Sequence, residues 1–327
     1  FRSTTPAPFT AEEAALFSEV SLGLISVLGQ TQRDWWKGKM KASTATWKFW
    51  GNEVSLLRMA LDLMKLQKLK DDAAGDSVLQ KLIESPYLVN ADQWDGYSAE
   101  RKLLMQHLKA GGIQNVVALT GDIHAFFAGT VMDDYSAATP TPVMVDLVSA
   151  GVSSESFFTY LRQAVGAVSA SLSTLIYYPL TVPTPAGDLS LNVNLLDYTL
   201  GKTAPTTEQL VDSLRVQVRG ALAQKGLPET QLDAITTQVL AGLKASPDVQ
   251  TQLTPLAATL AGLDNNPWIA LANTDAQGYL QVRVTPTSLT GTFKQVNKLV
   301  GSTAPGQRIA ATTTATVSAG SASVTLS

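Results

Sequence analysis

The sequence predicts an α/β protein of layered type carrying a helical insertion, and three features support that expectation. Up to residue 153, apolar β-branched runs alternate with helix-period segments, the pattern of a sheet covered by helices. Between 154 and 263 the helical period takes over, and beyond 264 alternating strands resume. The expected organisation is therefore 1–153 with 264–327 as the layered part and 154–263 as a mainly helical insertion.

The opening FRSTTPAPFT is loop-like, and Thr10 is placed to cap a helix running to Gly29 with Glu12 and Glu13 in its first turn. A second helix is expected over 31–43. A strand over 45–54 follows, rich in Trp and Phe and ending at the turn-prone Gly51-Asn52. Leucines and methionines at three- and four-residue spacing predict a helix over 55–70. Ser98 is read as the cap of a helix that closes on Gly111-Gly112, and strands follow over 115–122 and from Pro142. In the insertion Phe158, Leu161, Val165, Val168, Leu172, Leu175 and Ile176 share one helical face, after which Pro179, Pro183 and Pro185 break the chain. Helices over 206–263 are punctuated at Gly226-Leu227-Pro228 and Ser246-Pro247. A hairpin over 278–296 turns around Pro286, and 309–318 is a last strand or, by its Ser/Ala/Thr bias, a disordered tail. No internal repeat is present.

With 327 residues and 45% apolar composition, the chain can bury a large core. Its net charge of -3 and pI near 5.5 lack the basic surplus that draws a protein to nucleic acid, so nucleic acid is not expected as a primary partner. The absence of cysteine excludes disulfides and thiolate metal sites, so any metal would be held by oxygen and imidazole. No apolar run reaches the length of a membrane span. The start at Phe1, without a signal-like pattern, leads us to expect that a leader or upstream part has been removed.

Chemistry concentrates in NVVALTGDIHAFFAGTV, Asn115 to Val131, which holds one of the two histidines. Gly121 lets the chain turn at a strand end. Asp122 offers a hard anionic oxygen, and His124 a neutral nitrogen on the same side if the backbone stays extended. The two form a candidate metal pair; alternatively Asp122 caps the next turn and His124 is a satisfied core or surface histidine. Asn52 and Glu53, ending a strand, are candidates to order that site from behind, or else a turn former and a surface acid. Trp94-Asp95-Gly96-Tyr97 reads as a packed corner beside the site, with Asp95 as a cap. Arg101 either faces a phosphate or lies on a solvated helix face. His107 reads as a surface residue.

The segments ASTATWKFWGNEV, DQWDGYSAERKLLMQHL, NVVALTGDIHAFFAGTV, DLVSAGVSS and NPWIALANTDAQGYLQVRVTP occur in the order and character of the PhoD-like alkaline phosphatases. Outside its helical segment the chain resembles that family of secreted metallophosphoesterases. The resemblance implies a four-layer α-β-β-α sandwich of the metallo-dependent phosphatase type, with iron and calcium at the strand ends. It also implies hydrolysis of phosphate mono- or diesters by a metal-activated water, with Asp122 and His124 as metal-binding, catalytic residues. A secreted, periplasmic or cell-surface location follows from the same likeness.

The family's earlier ligands, including a cysteine, an aspartate and an acidic-histidine motif, precede the region this chain resembles. An N-terminal companion polypeptide, such as part of a nicked precursor, is therefore expected to complete the site. Trp268 stands where the family tends to carry a histidine. Two alternatives stay open. One is a phospholipase D-like phosphodiesterase, whose apolar helix over 157–176 would be exposed for lipid contact. The other is a non-catalytic secreted or surface protein that assembles into oligomers through the insertion.

Overall fold

Two β-sheets packed face to face organise the chain in the computed structural model, which describes residues 26–63, 66, 84, 86–166, 170–299 and 304–327. The helix expected from Thr10 lies outside these residues through Ile25. In chain order the first strands are Lys48–Asn52 (β1), Ala60–Leu61 (β2), Tyr87–Leu88 (β3), Val116–Thr120 (β4), Phe126–Met132 (β5) and Pro142–Val148 (β6). A hairpin of Tyr177–Val182 (β7) and Leu189–Asn194 (β8) precedes Ile269–Asn273 (β9). Gly278–Val284 (β10), Ser288–Val296 (β11), Ile309–Ser318 (β12) and Thr325–Leu326 (β13) close the chain.

The main sheet has the order β1-β4-β6-β5-β9. Strands β1, β4 and β6 are parallel, with Asn52 beside Thr120 and Thr120 beside Val148, so their carboxyl ends share one edge. The β10-β11-β12-β13 sheet is antiparallel throughout. Between the sheets, Val117, Phe126, Val145 and Leu147 meet Leu289, Phe293, Ala315 and Val317. Phe126 and Phe293 pack edge to face with centroids 5.3 Å apart. On the other face lie the helices Gly29–Ala42 (α1) and Ser98–Ala110 (α2), whose Trp36, Met40, Leu104 and Leu108 cover Val116 and Ala118. Strand β4 is thus buried on both faces, which is why its sequence VVAL is apolar without alternation. Each large apolar side chain so buried contributes about 1.5–3 kcal/mol.

Residues 154–263 contain helices Phe157–Gly166 (α3), Ala170–Ile176 (α4), Leu196–Leu200 (α5), Thr207–Ser213 (α6), Arg215–Gln224 (α7), Glu229–Ala245 (α8) and Thr254–Ala261 (α9). Leu191, Val193, Leu210, Val218 and Leu240 belong to a second core, which Leu63 also joins. Phe157, Phe158 and Ile176 instead join the core of the main sheet. A capping box, Thr206 with Gln209, starts α6. No helix among the described residues is long and apolar enough to cross a membrane.

Several expectations are corrected. Residues 55–63 are not helical: the backbone N–H groups of Leu56, Met59 and Ala60 go to Asp146 Oδ2, Asp95 Oδ2 and Asn266 Oδ1, each at 2.8 Å, and that of Ser55 goes to Gln93 Oε1. Buried side-chain acceptors have displaced the i−4 carbonyls that a helix would use. Ser98 caps nothing; it is the first residue of α2, continuing a 3₁₀ turn over Trp94–Tyr97. Pro179 does not break the chain but lies inside β7, a two-stranded ribbon where the missing N–H is tolerated. The segment 309–318 is the strand β12.

Arg101 is not on a solvated face: it is 4% exposed, with Nη1 2.8 Å from Asp95 Oδ1 and its guanidinium 4.6 Å from the Tyr135 ring centroid. His107 is half-buried, its Nε2 lying 3.1 Å from the Lys37 carbonyl and joining α2 to α1. Asp95 therefore serves packing. It holds Met59 with one oxygen and Arg101 with the other. Arg101→Met should cost about 3–5 kcal/mol by leaving a buried carboxylate without its cation. Urea denaturation measures this, and a loss below about 1 kcal/mol would show that the ion pair does not hold the 55–60 segment in place.

Candidate functional site

The carboxyl edge of β1, β4 and β6 is where a layered α/β sheet presents its ligands. Strand β4 delivers Gly121-Asp122-Ile123-His124 to that edge. The backbone there is not extended as expected: Asp122 has φ 64° and His124 φ 58°. Left-handed backbone costs a residue with a Cβ about 1–2 kcal/mol, and such strain gathers at functional sites. Ile123, between them, is buried and pins the turn to the core. Asp122 is exposed and His124 half-buried.

Each of the two is held from one side. Gln93 Nε2 donates to Asp122 Oδ2 at 2.8 Å, which leaves Oδ1 for a cation. His124 Nδ1 lies 2.8 Å from the Glu155 carbonyl oxygen. A carbonyl can only accept, so Nδ1 carries the proton and Nε2 keeps its lone pair, the usual arrangement of a metal-binding histidine. The loop after β6 is tied to this turn by Phe157 N donating to the His124 carbonyl at 3.0 Å and Ser149 N to Thr120 O at 2.8 Å. The donor types fit a hard cation. Their number does not close a coordination sphere, since among the described residues no group of three His, Cys, Asp or Glu side chains is gathered.

Behind the turn runs a hydrogen-bonded network centred on Asp146, a fully buried carboxylate in the middle of β6. Its Oδ1 accepts from Thr120 Oγ1 at 2.6 Å, and its Oδ2 from Leu56 N at 2.8 Å and Ser55 Oγ at 3.1 Å. Asn52 Nδ2 donates to Thr120 Oγ1 at 3.2 Å, and Trp94 Nε1 to Asn52 Oδ1 at 3.2 Å. Ser55 N donates to Gln93 Oε1, so Asp146 reaches Asp122 through Ser55 and Gln93.

Of the residues singled out from sequence, the strand ends gather Asn52, Asp122 and His124. Glu53 is exposed one residue further on, Tyr97 packs on the helix-side core, and Asp95 with Arg101 sits behind the Trp94 corner. Trp268 immediately precedes β9, at the end remote from His124, where its Nε1 donates to the Arg58 carbonyl and its ring meets Tyr135. Asp146, Gln93, Thr120 and Ser55 went unnoticed in the sequence. A readable signal existed only for Asp146, as the lone charge in the apolar strand VMVDLV. An open groove lined by Lys109, Asn115 and Gly320 lies at the opposite end of β4 and contains none of these residues.

The family model described as PhoD-like phosphatase matches residues 9–177, just over half of the chain. Alkaline phosphatase D of Bacillus subtilis (strain 168) is 26% identical over 129 residues, covering 39% of this chain and 19% of the relative. A solved structure of PhoD aligns with 92% of this chain and 35% of its own, at 17% identity and a TM-score of 0.46. The matched part thus spans about a fifth of the curated relative.

Burial pushes the Asp146 carboxyl up to about 6 from its ordinary 3.8, against the opposing effect of its hydrogen bonds. Between those values the folded protein binds more protons than the unfolded chain, so stability falls as pH rises through the window, by roughly 3 kcal/mol in all. Asp146→Asn should remove that slope. Urea denaturation of both proteins between about pH 4 and pH 7 tests this; equal slopes would assign the effect to another group.

Proposed function

The chain belongs to the PhoD-like phosphatase family, and on that premise we propose that it carries part of the active site of a metal-dependent hydrolase of phosphate mono- or diesters. The observation behind this reading is the pair Asp122 and His124 at the carboxyl ends of parallel strands, each oriented from behind by a fixed partner. Hard oxygen and imidazole donors suit iron or calcium. A bound cation would supply charge stabilisation for the phosphoryl oxygens and a lowered pKa for water. The chain's own residues do the positioning. Gln93 restricts Asp122 to one outward oxygen, the Glu155 carbonyl fixes the His124 tautomer, and Asn52, Thr120 and Asp146 brace the strand ends.

In this reading the remaining ligands come from residues outside those described or from a companion polypeptide. Strand β1 offers a place for one: it is an edge of the main sheet among the described residues, its Phe49 is 43% exposed, and its carboxyl end lies at the site. A fourth layer, over the outer face of the β10–β13 sheet, and a secreted, periplasmic or surface location belong to the same proposal. So does the division into a phosphatase part, 1–153 with 264–327, and an insertion, 154–263. The phospholipase-like alternative gains no support, because Phe157 and Phe158 of α3 are buried in the core.

Asp122→Asn and His124→Ala in the full protein should each lower kcat/KM for a phosphoester by at least ~100-fold and weaken metal retention. Gln93→Met should lower metal affinity about 10- to 100-fold while Asp122 itself is intact. Steady-state kinetics with elemental analysis of gel-filtered protein check all three. Unchanged activity in Asp122→Asn would reject the site. Wild-type protein without metal or hydrolysis, even after reconstitution, would favour the non-catalytic assembly protein.

A further inference from the structure

We propose that Tyr160 is a specificity residue of this site, its ring forming the wall against which the alcohol portion of a phosphoester stacks, so that esters of aromatic alcohols are preferred. The inference rests on the metal-pair reading of Asp122 and His124. The ring centroids of Tyr160 and His124 lie 5.8 Å apart with planes inclined by 47°. Tyr160 is 50% exposed, although its neighbours Phe157 and Phe158 on the same helix are buried. Its ring therefore has one flank toward the candidate ligand and another open to solvent.

The position is built rather than incidental. Glu155 and Phe157, on either side of the buried Ser156, clamp His124 through its Nδ1 and its carbonyl. Ser156 in turn bonds Asp275 Oδ1 at 2.6 Å and accepts the Tyr160 N–H at its own carbonyl at 3.2 Å. The first turn of α3 is thus fixed to the residue that would bind the metal, and Tyr160 is fixed with it. A phosphoester anchored beside His124 carries its organic group one bridging oxygen from phosphorus, on the side of the site where the Tyr160 ring stands next to His124. Aliphatic groups gain only contact there, whereas an aromatic group gains offset or edge-to-face stacking, which corresponds to about two- to tenfold in affinity.

The test uses the full, metal-loaded protein and two non-hydrolysable probes, phenylphosphonate and methylphosphonate, with binding read by titration calorimetry. Hydrolysis of phenyl phosphate against glycerol phosphate is read alongside. Wild type and Tyr160→Phe should prefer the phenyl probe about two- to tenfold, and Tyr160→Ala should lose that preference in both binding and kcat/KM. A preference that survives in Tyr160→Ala, or one that is absent from wild type, overturns the proposal while leaving the site intact. Failure of wild type to bind either phosphonate defeats the site reading itself and the specificity role with it.

Discussion

The carboxylate of Asp146 is buried in the central strand, out of contact with bulk solvent, and much of the surrounding chain is arranged to supply the donors that solvent would. A buried carboxylate without donors is costly, so three come to it from two different segments: Thr120 at the end of β4, and Ser55 and Leu56 just beyond β1. That demand explains why the chain after β1 stays extended across the sheet end instead of coiling into a helix. The ends of three parallel strands are thereby tied to one group, and the turn carrying Asp122 and His124 grows from the braced end of β4. A site that must hold a cation needs ligands fixed before the cation arrives. The fixing here begins three hydrogen bonds away from the ligand, in the strand core.

The mainly helical stretch 154–263 is joined to the same edge by a similar device. Asp197, buried in α5, accepts from Thr274 N at 2.9 Å and Thr274 Oγ1 at 2.7 Å, and from Asn194 Nδ2 at 3.2 Å. Burial raises its carboxyl above the ordinary range, partly opposed by Lys202. Thr274 follows directly on β9, and its carbonyl accepts the backbone N–H of Phe158 at 2.9 Å. This segment is therefore not a loosely tethered appendage: the N-terminal end of its first helix is bonded both to His124, through Phe157 N, and to the end of the sheet, through Phe158 N. Asp122 is held separately, by Gln93.

The layered pattern, the hairpin over 278–296 and the boundaries of α1 were legible because they follow from periodicity and local turn chemistry. Residues 55–63 were not. Their leucine and methionine spacing is genuinely helical, and only acceptors distant in sequence, at Gln93, Asp95, Asp146 and Asn266, overrule it. The β7–β8 hairpin was hidden by its prolines, which on a two-stranded ribbon cost little. For the site, the strand-end Asp122 and His124 stood out by residue type, and Asn52 by its position. Gln93 was invisible, since a glutamine before a tryptophan has no chemical signature until its amide is seen facing a carboxylate. Arg101 was misjudged because a helix position alone does not reveal a buried partner in the 3₁₀ turn that precedes the helix.

The Trp-Asp-Gly-Tyr corner shows why a motif can be recognisable without touching chemistry. A Cβ on Gly96 would lie 1.9 Å from the Ala91 carbonyl oxygen, a backbone atom that cannot step aside, so only glycine closes this turn. Closing it seats Trp94 against Trp50, with centroids 5.7 Å apart, and aims its indole N–H at Asn52. It also turns Asp95 toward Met59 and Arg101. Gln93, immediately before the corner, has no freedom left: Ser55 N donates to its side-chain oxygen, and its side-chain nitrogen donates to Asp122. The residue types of the corner are thus dictated by packing, while their consequence is the orientation of a carboxylate some thirty positions further along the chain.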